Sequence, residues 1–208
     1  MAGRPWWRGG RLLPPLLLGC ALAQAGPLGP VATRSLVARL KQAGRVEVDL
    51  TVSSPSDLGR PRRGTLSLEP PDRVRLDFPE TGERIALRAD GGEWLQPVAR
   101  QLVVLKPGQL EAARELWGLF LHPDGAGYAE RRVGARRYLL TRRSAKAELP
   151  DSVTIVLGRD GLPCRLETIV EAQDRQVYEL RGWHFGAPRG IAGFRLRAPP
   201  GVTVVELP

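Results

Sequence analysis

The sequence predicts a mainly β protein with a few α-helices, in which about ten to twelve antiparallel strands curl into a barrel or half-barrel. The first observation is strict alternation of apolar and polar residues along most of the chain. The second is the presence of hairpin turn sequences between the alternating segments. The third is that only two segments have helical periodicity. Two helices cannot cover an open sheet of that size, so the sheet must curl on itself; two packed sheets are the alternative.

Two helices are predicted. In "TRSLVARLKQAG", Thr33 or Ser35 is placed to cap the first turn and Gly44 to end the helix. In "PGQLEAARELWGLF", apolar residues recur at i, i+3, i+6, i+7 and i+10, and Pro107 stands at the entrance. The first helix opens the domain, and the second interrupts the strand series.

The strands follow from period-2 alternation, which is typical of an antiparallel sheet with one dry face and one wet face. "RVEVDLTV", "GTLSLEP", "RVRLDF" and "RIALR" alternate most clearly. Further strands are predicted at "EWLQ", "QLVVLK", "RRYLLTR", "SVTIVLG", "CRLETIV", "VYELRGW", "FRLRA" and "VTVVEL". The turn sequences "ADGG" (Ala89 to Gly92) and "GRDG" (Gly158 to Gly161) indicate hairpins.

The N-terminal segment predicts export. Arginines precede a short apolar run and two A-x-A sites, which is the layout of a secretory signal peptide over residues 1–25, followed by a single domain over residues 31–208. Cleavage after Ala23 or Ala25 would give a periplasmic protein. The alternative treats Leu17 to Cys20 as a lipobox, with Cys20 lipidated and the protein anchored in the outer membrane.

Composition argues against catalysis and against nucleic acid as a partner. The formal net charge is +9, but the arginines are spread along the strands rather than grouped in an arm. His122 and His184 have no His, Cys or carboxylate at metal-ligand spacing, and no nucleophile or phosphate-loop motif is present. We therefore expect no enzyme activity, no cofactor and no metal.

The C-terminal third resembles LolA, the periplasmic carrier of lipoproteins. The resemblance is carried by "TIVLGRDGLPCRLETIVEAQDRQVYELRGWHFG" (Thr154 to Gly186) and "FRLRAPPGVTVVEL" (Phe194 to Leu207). Earlier in the chain, "GTLSLEPPDRVRLDFPE" and "RADGGEWLQPVARQLVVL" occur in the family's order. The similarity extends from about Thr33 to Leu207 and depends on order and spacing more than on any one motif.

This resemblance implies an unclosed antiparallel half-barrel, capped by helices, around an apolar cavity that takes up lipid acyl chains. It implies a monomeric carrier of acylated lipoproteins or other lipids, which receives them from an inner-membrane lipoprotein-releasing transporter and delivers them to an outer-membrane receptor. The alternatives on the same fold are a Cys20-lipidated outer-membrane receptor and another lipid-binding protein, such as a lipid-sensing module. Such receptors present an apolar loop between early strands, whereas the loop "FPETGER" (Phe78 to Arg84) is polar here.

The candidate lipid-binding residues are the predicted inward strand positions and the apolar face of the second helix. They are Val48, Leu50, Leu66, Leu68, Leu76, Phe78, Ile85, Leu87, Trp94 and Val104 on strands, and Leu116, Trp117 and Phe120 on the helical lid. One departure from the family is Pro70, which stands where LolA carriers often have an arginine that keeps the lid shut. The sequence therefore leaves open what holds the lid.

Overall fold

The computed structural model of the chain describes residues 30–55, 60–109, 111–122, 127–143, 150–170 and 174–206. These residues include the helices α1 (Val31–Ala43) and α2 (Glu111–Leu121) and a 3₁₀ helix (Ile191–Phe194). The strands are β1 (Arg45–Ser53), β2 (Arg62–Glu69), β3 (Arg73–Phe78), β4 (Glu83–Arg88), β5 (Gly91–Gln96), β6 (Gln101–Leu105), β7 (Tyr128–Arg132), β8 (Arg137–Arg142), β9 (Ser152–Leu157), β10 (Pro163–Val170), β11 (Asp174–Gly186) and β12 (Thr203–Glu206).

All of these strands form one sheet, in the order β12-β6-β5-β4-β3-β2-β1-β11-β10-β9-β8-β7. Neighbours are antiparallel except β12, which runs parallel to β6. The order has two different ends, so the sheet is unclosed. The prediction of a mainly β half-barrel is confirmed, and the alternative of two packed sheets is excluded for the described residues.

The core lies between the two helices and one face of the sheet, which we call the inner face. Val46, Val48 and Leu50 of β1 belong to this face and are almost fully buried. They share one apolar cluster with Leu36 and Leu40 of α1 and with several residues of α2. The period-2 pattern in the strands and the helical period in α1 therefore meet in one core.

Helix α1 is fixed at its start by a distant strand. Its N-cap residue, Pro30, has no side chain that can accept a hydrogen bond. Instead, the carboxylate of Glu130 on β7 accepts the N–H of Val31 at 2.7 Å and the N–H of Ala32 at 2.9 Å. The prediction that Thr33 or Ser35 caps the helix is wrong, because both residues lie inside it. The reason is that a carboxylate from β7 satisfies N–H groups that a local cap would otherwise take.

The end of α1 agrees with the sequence. Gly44 adopts φ = 94°, and its N–H donates to the carbonyl of Leu40 at 2.7 Å. A side chain at this position would be strained by the backbone conformation and would also meet the ring of Pro188 at 2.6 Å.

The opposite, outer face of the sheet is partly covered by residues 187–202, which we call the strap. The 3₁₀ helix within the strap packs on β3 and β4, and its Phe194 is 1 % exposed. The segment "FRLRA" was predicted as a strand, and this prediction is wrong. The physical reason is that its backbone bonds side chains of the sheet: the N–H of Leu196 donates to Glu93, and the carbonyl of Phe194 accepts from Arg88 at 2.6 Å.

Charged residues on the outer face hold the strap. Glu69, which is 1 % exposed, accepts the N–H groups of Arg189 at 2.7 Å and Gly190 at 3.1 Å. Arg88 is 7 % exposed and pairs with Glu93 at 2.7 Å. The expectation that one face of the sheet is wet therefore fails beneath the strap, because the strap excludes water from these polar groups while hydrogen-bonding to them.

Candidate binding face on the inner side of the sheet

The register aligns the inner-face residues of β1 to β6 in rows that cross the strands. The first row is apolar and is buried at Val46, Leu68, Val74, Leu87 and Leu105. The second row runs through Val48, Leu66, Leu76, Ile85, Trp94 and Val103. The third row begins apolar at Leu50 and Phe78 and becomes polar at Glu83, Gln96 and Gln101. On β4 to β6 the inner face thus changes from dry and apolar to polar over four residues along each strand.

Most of the candidate residues from the sequence lie on this face and are buried. Val48, Leu50, Leu66, Leu68, Leu76, Phe78 and Leu87 are each at most 7 % exposed and belong to the core cluster. Ile85 and Trp94 are only half-buried and pack against the edge of that cluster. Of the strand candidates on the inner face, these two therefore keep accessible surface outside the core.

Val104 does not point inward. It pairs with Glu93, whereas its neighbour Val103 pairs with the inward Trp94. Successive residues of a strand face opposite sides, so Val104 lies on the outer face and Val103 takes the inner position. The prediction is wrong because "QLVVL" contains adjacent apolar residues, so the pattern does not show which of the two valines faces the core.

Five further apolar residues on the inner side were missed by the sequence argument. They are half-buried around the core: Val52, Leu157, Tyr178, Trp183 and Phe185. A bulge at Gly182, where φ = 66°, explains why β11 contributes both even- and odd-numbered residues to one face. Val52 continues the alternation of β1 and could have been included among the candidates. In β11 no sequence pattern indicates the switch from even- to odd-numbered inward residues.

Helix α2 packs against β11 through contacts between aromatic rings. The ring of Trp117 meets Tyr178 edge-on at a centroid distance of 5.4 Å, and Phe120 meets Trp183 edge-on at 6.4 Å. Leu116, Trp117 and Phe120, the predicted lid residues, are all at most 4 % exposed. The apolar face of α2 is therefore packed against the sheet, and the edge-to-face ring contacts stabilise this packing beyond the effect of buried area alone.

Polar side chains lie where the apolar rows of the inner face end. We call the group of Arg62, Phe78, Glu83 and Trp94 the Arg62 corner. The guanidinium of Arg62 lies 4.2 Å from the ring centroid of Phe78 and forms an ion pair with Glu83. The other oxygen of Glu83 accepts the indole N–H of Trp94 at 2.7 Å. The carboxylate thus fixes both the guanidinium and the tryptophan ring at the half-buried margin of the face.

The described residues contain no group of three or more His, Cys, Asp and Glu side chains that could hold a metal ion. His122 follows α2 and is exposed, and His184 lies in β11. Cys20 and the predicted signal peptide lie outside the described ranges. Within those ranges, none of the helices combines the length and apolarity needed to cross a membrane.

The architecture is the one that the sequence resemblance implies: an unclosed antiparallel sheet with two helices closed against its inner face. The fold is LolA-like. Solved structures similar to the chain include an uncharacterized conserved protein from Thermus thermophilus, at 12 % identity over 84 % of this chain and 98 % of that chain, with a TM-score of 0.50. A LolA superfamily protein from Nitrosomonas europaea is 10 % identical over 79 % of this chain and 97 % of that chain, with a TM-score of 0.41. No protein-family model and no curated protein sequence matches the chain.

The two helices pack against the sheet with Pro70, not an arginine, at the end of β2. Pro70 lies in the turn between β2 and β3. Helix α1 is held instead by the Glu130 carboxylate at its start, and α2 by the contacts of Trp117 and Phe120 with β11. The two helices are therefore held by contacts with different strands of the sheet, α1 with β7 and α2 with β11.

Proposed function

We propose that the protein is a periplasmic carrier that binds lipoprotein acyl chains on its inner face and moves them from the inner to the outer membrane. The observation that carries this proposal is the group of half-buried apolar side chains around the core, among them Ile85, Trp94 and Tyr178. They belong to a LolA-like fold and lie on the same face as the two helices. No catalytic step is part of the proposal.

The physical basis of binding is the removal of acyl chain from water. Each methylene that leaves water contributes ~0.8 kcal/mol, so a face of aliphatic and aromatic side chains can hold a chain without a specific polar contact. An acyl chain covering Ile85 and Trp94 would also complete the burial of those residues. Release then depends on a receptor offering more apolar area, or on outward movement of α1 or α2.

Binding is tested with the mature protein and a fluorescent acyl probe or a diacylated peptide. Trp94→Glu places a charge on the inner face beside Glu83 and should weaken binding at least tenfold, which corresponds to about 1.4 kcal/mol. Val98→Glu is the matched control, because Val98 lies at the tip of the same β5–β6 hairpin and is 94 % exposed. Urea unfolding of both variants separates loss of binding from loss of folding.

The carrier proposal fails if the folded wild-type protein binds neither probe. It also fails if Trp94→Glu and Val98→Glu have equal effects while both proteins remain folded. Ile85→Asp provides a second inner-face variant, since Ile85 pairs with Trp94 across β4 and β5.

The alternative is an outer-membrane receptor anchored through a lipid on Cys20. One observation favours it: Val98, an apolar residue at a hairpin tip, is almost fully exposed. The intact mass and N-terminal residue of protein recovered from periplasm and membrane decide between the two. A chain beginning after Ala23 or Ala25 supports the carrier, and an acylated N-terminal Cys20 supports the receptor.

A further inference from the structure

We propose that the Arg62 corner binds the polar end of an amphiphilic ligand, so that the acyl chain runs from Trp94 across the inner face toward α2. The ligand class is an ester-linked lipid whose headgroup has acceptor oxygens and no net negative charge. This inference rests on the proposed function and adds to it the direction and chemistry of the bound lipid.

The position of the corner follows from the rows of the inner face. The row from Val46 to Leu105 is dry and apolar, and four residues further along their strands β4, β5 and β6 carry Glu83, Gln96 and Gln101. An acyl chain gains free energy only along the apolar rows, whereas an ester or phosphate loses hydrogen bonds to water unless donors replace them. The polar end of a lipid therefore belongs at the margin where those donors are found.

The exposure of the corner agrees with such a role. The side chain of Arg62 is 37 % exposed, and that of Glu83 is 18 % exposed. The guanidinium is accessible from water, while the carboxylate beneath it is largely covered. A headgroup can thus contact Arg62 and remain hydrated on its outer side, at the place where the ester linkage enters the apolar face.

Charge balance at the corner determines the ligand class. Glu83 is occupied on both oxygens, by Arg62 and by the indole N–H of Trp94. A guanidinium has about five N–H donors and no acceptor, so Arg62 retains donors for ester or phosphate oxygens. Because Glu83 compensates its charge, a free fatty-acid carboxylate meets both the cation and a nearby anion. An ester carbonyl oxygen is uncharged and does not incur that repulsion, and in a zwitterionic headgroup the ammonium group offsets the charge of the phosphate.

Trp94 and Trp117 mark the two ends of the proposed path, and α2 moves outward when the acyl chain enters, because the residues of β1 to β3 along this path are buried beneath the helices. The ring of Trp94 is held on β5 by Glu83, and the ring of Trp117 is held over β11 by Tyr178. Between β5 and β11 lie β4, β3, β2 and β1, which makes five interstrand steps of about 4.8 Å along the curved sheet. Nitroxide labels at two depths of a lipid can therefore distinguish the two indoles.

The experiment uses ¹⁵N-labelled mature protein and lysophosphatidylcholine with a nitroxide either near the headgroup or near the terminal methyl. The indole N–H signals of Trp94, Trp117 and Trp183 are observed directly, and Trp94→Phe assigns the first of them. The headgroup-proximal label should broaden Trp94 more than Trp117, and the methyl-proximal label should give the reverse order. A reversed order, or equal broadening with both labels, overturns the inference while leaving lipid binding intact.

Absence of binding by lysophosphatidylcholine and by every acyl probe removes the proposed function and this inference together. Binding of the acyl probes but not of lysophosphatidylcholine removes the inference alone, because the corner would then not accept its headgroup.

Two variants test the chemistry of the corner. Arg62→Gln should weaken lysophosphatidylcholine binding about tenfold, as expected for the loss of charged hydrogen-bond donors. Glu83→Gln should shift selectivity toward stearate, because it removes the anion beside Arg62; a merely structural role would not reverse a preference. Arg84→Gln is the control, since Arg84 adjoins Glu83 but pairs with Asp77 on the outer face. Unchanged selectivity in Glu83→Gln contradicts the assignment of ligand class.

Discussion

Replacing Glu130 by alanine tests how α1 is kept against the sheet. In the native protein, the two carboxylate oxygens accept the first two N–H groups of the helix at 2.7 and 2.9 Å. Alanine removes both acceptors and also the negative charge at the positive end of the helix dipole. The residues of the core are untouched, so the effect should be confined to α1 and to the β7 contact.

The magnitude follows from the geometry. Loss of an N-cap acceptor costs about 0.5–2 kcal/mol, and the charge at a helix N-terminus contributes about 0.3–1 kcal/mol. One of the two hydrogen bonds is exposed to solvent, and water replaces it in part. We therefore expect Glu130→Ala to lower the free energy of unfolding by about 1–1.5 kcal/mol, and Tm by about 2–6 °C for a domain of this size.

The assays are urea unfolding and amide hydrogen exchange. Exchange at the start of α1 should accelerate about tenfold, while the amides of β2 and β3 keep their protection relative to global unfolding. Glu80→Ala is the control, because Glu80 lies exposed in the β3–β4 turn. A loss below about 0.3 kcal/mol, or acceleration spread evenly over the sheet, would refute the idea that Glu130 fastens this helix.

Three further predictions concern the sheet itself. Arg88→Met should lower the free energy of unfolding by about 2–3 kcal/mol, since it leaves the charge of Glu93 without a cationic partner beneath the strap. Adding Glu93→Gln should recover at least half of that loss in urea unfolding. Gly91→Ala should cost more than about 2 kcal/mol, because φ is 122° and an added Cβ would lie 2.3 Å from a backbone oxygen. Burial raises the pKa of Glu47 and Glu167, but hydrogen bonds and charges from neighbouring arginines outweigh it and hold the pKa of each below the ordinary 4.5. Their contribution to stability is therefore complete above that value and is lost as the pH falls through the lowered pKa.

Each of these has a contrary result. If Arg88→Met unfolds at the wild-type urea concentration, the strap is not held by that ion pair. If Gly91→Ala is as stable as Gly108→Ala, the close approach at Gly91 is relieved; Gly108 also has positive φ, but nothing lies within 4 Å of its added Cβ. If the doubly substituted Glu47→Gln and Glu167→Gln protein keeps the full acid sensitivity of the wild type, other carboxylates cause it.

The parts of the fold that follow from local pattern were predicted well. β1 to β4 alternate strictly, both helices have helical periodicity, and the "GRDG" turn joins β9 to β10 as expected. β7 was missed, because "YAERR" has one large apolar residue and three charged ones and thus lacks a core pattern. An edge strand with few core contacts can fold with such a sequence because its neighbour supplies the register.

The candidate site was predictable where the alternation of apolar and polar residues determines which face of the sheet a side chain lies on. It was not predictable where tertiary contacts determine this. Ile85 and Trp94 were found from their strands. Val104 was assigned to the wrong face because two adjacent valines do not show which of them points inward. Trp183 was missed because the bulge at Gly182 changes, within one strand, which residues face the core. The Arg62 corner joins residues from β2 to β5, and no short-range pattern in the chain indicates that pairing.

The parallel pairing of β12 with β6 has a consequence for self-association. Gln101 to Leu105 contains no charged residue and is rich in valine and leucine, a composition prone to pairing with other chains. Residues 203–206 occupy its open hydrogen-bonding edge in register. At the far end of the sheet, Arg131 and Arg132 place positive charge on the short β7. At one end of the unclosed sheet the apolar β6 is thereby covered and the edge passes to the four-residue β12, and at the other end positive charge on β7 disfavours intermolecular strand addition.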